Sequence, residues 1–200
     1  MSLRPDLEII SRWIEPGSRV LDLGCGDGTL LEHLKRERDV DGYGLEIAAE
    51  NIGACIRRGV SVIQSDLDAG LSDYFDDNSF DYVVMTQTLQ AVHYPSWLLQ
   101  EMLRVGRQGI VTFPNFGHWQ TRLQIALGGR MPVSRALPNE WYDTPNIHLC
   151  TLKDFEQLCH KLDIRILQRN VVDTAHRSNI GMKLLPNLLG EIALYRFEHS

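Results

Sequence analysis

Three glycines at every second position, Gly24, Gly26 and Gly28, stand directly behind a strand-like run, residues 19–23, and ahead of a helix-like stretch, residues 29–38. Few folds accept that arrangement. Glycine turns sharply and lets another group approach the main chain closely, so a strand–glycine loop–helix unit places a ligand against the end of a sheet. Leu30, Leu31 and Leu34 recur at helical spacing behind the loop.

The loop also discriminates among ligands. A dinucleotide site takes G-x-G-x-x-G, with the pyrophosphate over the helix N-terminus. Here the third glycine comes one position early, and Asp22 sits just ahead of the first. A carboxylate beside a pyrophosphate would repel it, but it suits a ligand carrying an ammonium group and a sulfonium. Cys25 lies inside the loop with no general base recognisable near it, so it reads as a small side chain beside the ligand rather than a nucleophile.

The chain then alternates strand and helix. Residues 43–45 begin a strand that ends at Glu46, and 48–58 read as a helix stopped by Gly59. Residues 60–63 form a strand ending near Asp66. Residues 80–85 form a fourth, 97–104 the helix after it, and 109–113 a fifth strand ended by Pro114. Short strand–helix–strand connections imply a parallel sheet with right-handed crossovers. The nearly continuous apolar strands suit a sheet covered on both faces. An acid at the end of the second strand, Glu46, can accept two ribose hydroxyls, each bond being worth roughly 1.5–3 kcal/mol. Asp66 can accept the exocyclic amine of adenine.

Beyond Pro114 the alternation stops. Residues 115–150 are rich in Pro, Gly, Trp and Arg, with one helical stretch at about 119–127. A segment of that length without alternation is usually functional, and its aromatic content argues against disorder. Phe113, Phe116, Trp119, Trp141 and Tyr142 gather around it, either to pack it onto the sheet or to offer a substrate pocket or partner anchor. Arg122, Arg130 and Arg135 make it locally basic. His118 and His148 fit hydrogen-bonded structural histidines better than general bases. Thr151 and Asp154 have the spacing of a capping box, ahead of the apolar face Phe155, Leu158, Cys159 and Leu162. Residues 164–167 and 192–197 read as two closing strands, antiparallel neighbours at one edge. Near the N-terminus, Leu7, Ile10, Trp13 and Ile14 have helical spacing and cap the core or cover the ligand site.

Composition narrows the function. A net charge of −6 and a pI near 5.6 lack the basic footprint of nucleic-acid binding. No apolar run approaches the roughly 20 residues of a bilayer span. Asp6 and Glu8 interrupt the apolar N-terminal stretch, which is not a signal peptide. Cys25, Cys55, Cys150 and Cys159 form no C-x-x-C pair, and no histidines have ligand spacing with a carboxylate. The expectation is therefore free thiols in the cytoplasm and no metal site.

Residues 20–113 resemble class I methyltransferases dependent on S-adenosylmethionine (SAM). The resemblance implies a three-layer, Rossmann-like α/β fold with a seven-stranded, mostly parallel sheet and an antiparallel last strand. It places Asp22, Gly24, Gly26 and Gly28 around the methionine part of SAM, with Cys25 between them. Glu46 and its neighbour Ile47 fall at the ribose, and Asp66 and its neighbour Leu67 at the adenine. More specific still, TQTLQAV (86–92), GIVTFPNFGHWQTRLQIALGGRMP (109–132) and LPNEWYDTPNIHLCTLKDFEQLC (137–159) closely resemble the methionine-biosynthesis MetW family, over nearly the whole chain. That likeness implies one SAM-binding domain over 1–200, with an aromatic lid insertion at about 115–150. It also implies a working association with the homoserine O-acyltransferase that starts methionine synthesis.

Two functions remain open on the residues alone. One is a SAM-binding accessory or regulator of that acyltransferase. The other is a SAM-dependent methyltransferase with an unidentified small-molecule or protein acceptor. Many small-molecule methyltransferases carry Glu-His after the fourth strand, where this chain has Gln90 and Ala91, and Asn-Pro-Pro-Tyr is missing. Methyl transfer depends mainly on proximity and alignment, worth up to ~7–11 kcal/mol, so these differences do not decide between the two.

Overall fold

A computed structural model describes residues 5–173 and 180–200. One seven-stranded sheet runs through it in the order β3-β2-β1-β4-β5-β7-β6. The strands are β1 (Arg19–Leu23), β2 (Asp41–Glu46), β3 (Ser61–Gln64), β4 (Phe80–Thr86), β5 (Gly106–Pro114), β6 (Ile164–Val172) and β7 (Ile192–His199). The first five pair in parallel, and β7 lies antiparallel to both β5 and β6. This is the expected α/β architecture.

Helices cover both faces, and the strand period of two decides which residue meets which helix. Along β4, Tyr82 and Val84 face one apolar cluster while Val83 and Met85 face the other. The first cluster includes Leu7, Ile10 and Ile14, contributed by or adjoining α1 (Pro5–Trp13). It also takes Leu30, Leu31 and Leu34 of α2 (Thr29–Arg38) and Cys55 of α3 (Ala49–Arg57). The N-terminal helix thus packs into the core. Its end is held by Arg38 Nη2, donating to Ile14 O at 2.6 Å, and by Arg196 Nη1, donating to Trp13 O at 3.1 Å.

The second cluster takes Leu98, Leu99, Met102 and Leu103 of α4 (Pro95–Val105). Proline opens α4 where its missing N–H costs nothing. Phe155 and Cys159 of α6 (Leu152–Lys161) pack in the same layer, where Phe155 lies 4.7 Å from the Tyr195 ring and Phe113 stacks on Tyr195 at 5.9 Å. The expected capping box starts α6. Asp154 N–H donates to Thr151 Oγ1 at 3.3 Å, and Thr151 N–H donates to Asp154 Oδ2 at 2.9 Å.

Some elements run longer than the local pattern implies. β5 begins at Gly106, and β6 continues to Val172 through an irregularity between Ile166 and Gln168. Two short helices, α7 (Ile180–Leu184) and α8 (Pro186–Leu189), precede β7, and neither is long enough to show a period in sequence. Asn115 pins this region to the end of β5. Its Nδ2 donates to Asn187 O at 3.0 Å and Gly190 O at 2.7 Å, and its Oδ1 accepts Gly117 N–H at 2.9 Å.

Segment 115–150 contains α5 (Trp119–Gly128), of which only Thr121 is buried. The aromatics expected to gather here divide instead. Phe113 is part of the sheet core, whereas Trp141 and Tyr142 are 70% and 72% exposed and meet edge to face at 5.8 Å. The segment returns to the sheet through its main chain. Phe116 N–H donates to Cys150 O at 3.0 Å, and Ile147 and His148 N–H groups both donate to Gln90 O, at 2.8 and 2.9 Å.

Candidate functional site

The glycine loop leaves β1 at the C-terminal edge of the parallel strands, where α/β sheets place their ligands. Register puts Asp22 opposite Gly44 of β2 and Val84 of β4, with its side chain buried. Gly24 follows at φ +71°, and a Cβ there would stand 2.7 Å from the Thr88 hydroxyl. Both the left-handed backbone and the close approach of Thr88 therefore require glycine.

The loop amides are already engaged. Gly24 and Cys25 N–H groups donate to Leu45 O at 2.9 and 3.0 Å, and Gly28 N–H donates to Cys25 O at 3.1 Å. Gly26 N–H donates to Glu46 Oε2 at 2.9 Å. A phosphate nest needs free amides, and here a carboxylate takes the amide that an anion would use. The loop is built for a cationic or hydroxyl-rich group.

Glu46 is the hub of the site. Its other oxygen accepts the N–H groups of Ile47 and Ala48, each at 2.9 Å, so one buried carboxylate ties the glycine loop to the start of α3. About four lone-pair directions exist on a carboxylate, which leaves room for a ligand hydroxyl beside three amides. Ile47 is exposed and Leu67 buried at the rim. Asp66 is exposed and lies two residues past the end of β3. It caps the short turn 67–69 by accepting Asp68 N–H at 3.0 Å.

Cys25 is held in the loop by its main chain. Its N–H donates to Leu45 O on β2, its C=O accepts Gly28 N–H, and its thiol turns into the core, 3.8 Å from Cys55 Sγ. Burial, aided by Asp22 and Cys55, pushes that thiol well above the ordinary range, which removes it as a nucleophile. Cys55 Sγ in turn donates to Gly26 O at 3.2 Å.

Three contributors to the site escape local reading: Thr88, Cys55 and Gly44. A Cβ on Gly44 would lie 2.4 Å from Cys25 Sγ. The one sequence signal is a glycine inside an otherwise good strand, which marks close approach. Gln90, where many methyltransferases carry an acid, is buried. It donates from Nε2 to Gln87 O at 2.7 Å while its main-chain carbonyl accepts the Ile147 and His148 N–H groups. Its role here is to anchor. Among the described residues, no three His, Cys, Asp or Glu side chains cluster to hold a metal ion, and no helix is long and apolar enough to cross a membrane.

The family model described as "Methionine biosynthesis protein MetW" matches residues 4–197. The chain belongs to the MetW family. It is 38% identical over its full length to the "Bifunctional methionine biosynthesis protein MetXA/MetW" of Rhodopirellula baltica, and spans 33% of that relative's length. An S-adenosylmethionine-dependent methyltransferase from Mesorhizobium loti shares the fold at a TM-score of 0.70 and 16% identity, covering 98% of this chain and 96% of its own. The [4+2]-cyclase SpnF does so at a TM-score of 0.68 and 17% identity, covering 97% and 80%. At such identities these structures establish the fold alone, and the cyclase shows how loosely this fold is tied to one reaction.

Proposed function

We propose that this MetW protein binds SAM at the glycine loop and acts with, or regulates, homoserine O-acyltransferase in methionine synthesis. The observation that carries the partnership is the Rhodopirellula relative, whose name joins MetXA and MetW in one chain. Joining two proteins in one chain raises their effective concentration and suits parts that work together.

The donor set fits the nucleoside. Asp22 and the turn at Gly24, Gly26 and Gly28 would hold the methionine part. A Cβ at Gly26 meets nothing within 4 Å, so that turn faces open space. Glu46, beside Ile47, would accept a ribose hydroxyl at its remaining lone pair, and Asp66, beside Leu67, would accept the adenine amine. SAM, when bound, supplies an electrophilic methyl group on a sulfonium. The chain's own residues would bind and orient: carboxylates would face the cation, Glu46 holds the loop, and the Gln90 main-chain carbonyl holds Ile147 and His148. An amide side chain does not titrate, so nothing at position 90 moves a proton. This favours the accessory reading over transfer to an acceptor that must be deprotonated.

SAM lies downstream of the acyltransferase reaction, so a SAM-binding companion would couple product level to an early step. Such coupling needs SAM to bind the free and complexed protein with different affinity. The test is co-expression with the acyltransferase of the same organism, co-purification, and acylation assays with and without this chain across SAM concentrations. The expected result is a stable complex whose acylation rate depends on this chain. Absence of both complex and effect would favour the second reading, a methyltransferase on a small-molecule or protein acceptor, which the intact glycine loop supports.

A further inference from the structure

A cavity of about 510 Å³ opens between α5, residues 133–137, Asn115 at the end of β5, and Glu191 just ahead of β7. Its lining shares no residue with the glycine loop or with Glu46 and Asp66. The polar groups facing it are His118, Thr121, Gln124, Ser134, Arg135 and Glu191.

Two observations point to a ligand. His118 and Thr121 are only 7% and 4% exposed, and among the described residues neither side chain has a hydrogen-bond partner. Their polar atoms are not among the side-chain atoms shut off from solvent, so they are open to water or to a ligand in the cavity. Burial holds the His118 ring below its ordinary pKa against the opposing field of Glu191. The neutral imidazole then offers one donor and one acceptor. The second observation is charge. Arg135 and Glu191 line the same space, yet among the described residues neither forms an ion pair, with the other or with any third group.

An anion would meet Glu191, and a cation would meet Arg135. A small molecule bearing both charges satisfies both, and the cavity falls within the size range of small-molecule sites. We propose that this cavity binds a zwitterion of the α-amino-acid class, its carboxylate on Arg135, its ammonium on Glu191, and His118 and Thr121 on the second carboxylate oxygen or on a polar side chain. The chain then reads an amino acid at a site separate from the glycine loop.

The full-length protein, saturated with S-adenosylhomocysteine so that the glycine loop is not available, is titrated by calorimetry with each proteinogenic L-amino acid in turn. At least one should bind, and the matching amine and the matching carboxylic acid, each lacking one charge, should bind about tenfold or more weakly. Arg135→Gln and Glu191→Gln should each weaken binding by a similar factor. Neither side chain has a structural partner among the described residues, so both variants should unfold at the wild-type temperature. No binding by any amino acid overturns the proposal, as does binding unchanged in both variants. Binding to the protein without nucleoside that S-adenosylhomocysteine abolishes also overturns it, by placing the amino acid at the glycine loop. Should a variant fail to fold, the comparison with the singly charged analogues on the wild-type protein decides.

Discussion

Glu46→Gln separates the structural duty of the site from its ligand chemistry. In the wild type, Oε2 accepts Gly26 N–H while Oε1 accepts the N–H groups of Ile47 and Ala48, all at 2.9 Å. An amide replaces one oxygen with a donor. Whichever way it turns, a donor then faces a donor, at Gly26 or at the start of α3. One charge-assisted bond is lost, worth roughly 1.5–3 kcal/mol, and the remaining bonds weaken with the charge. For a domain of this size, ~1 kcal/mol moves the unfolding temperature by about 2–4 °C, so a fall of about 3–12 °C is expected. SAM affinity should fall by about tenfold or more, since a ribose hydroxyl loses a charged acceptor. Thermal unfolding gives the first quantity and calorimetric titration the second. A variant as stable as wild type would refute the view that Glu46 ties the loop together. A stable loss with unchanged SAM affinity would remove Glu46 from the ligand site and leave it as a brace.

Gly44→Ala places a methyl 2.4 Å from Cys25 Sγ inside a packed core. It should destabilise by about 1–3 kcal/mol, and a double-mutant cycle with Cys25→Ala should recover part of that loss. Arg104 binds both oxygens of Glu101, at 2.8 and 2.9 Å, and also Asp77 at 2.7 Å and Phe75 O at 3.2 Å, so it ties the loop before β4 to α4. Its hydrogen bonds to Glu101 hold that carboxyl below the ordinary range despite burial. A lowered folded-state pKa gives stability that is present above the unfolded carboxylate value of about 4.3 and is lost as pH falls through the lower folded value. Glu101→Gln should therefore cost about 1–3 kcal/mol at neutral pH. The gap from wild type should close as unfolding is measured progressively below about pH 4; a constant gap would show that the ion pair is not its source.

Much of this protein can be read locally. The strand–glycine–helix unit, the acids behind β2 and β3, and the Thr151–Asp154 cap each lie within a few residues, where periodicity and side-chain reach are set by the backbone itself. The residues alone suggest two antiparallel closing strands, and the resemblance to known families supplies the seven-stranded sheet that holds them, because strand order depends on contacts between distant segments. Tertiary structure alone decided what those residues meet. Sheet register brings Glu46 back to Gly26 and sets Cys25 against Gly44, and the loop behind β4 meets Ile147 and His148 through Gln90 O. It also brings Glu191, next to the last strand, into the cavity with His118 and Arg135. Period and capping act over one or two turns of chain, whereas these meetings follow from which strands become neighbours, and a linear pattern does not carry that information.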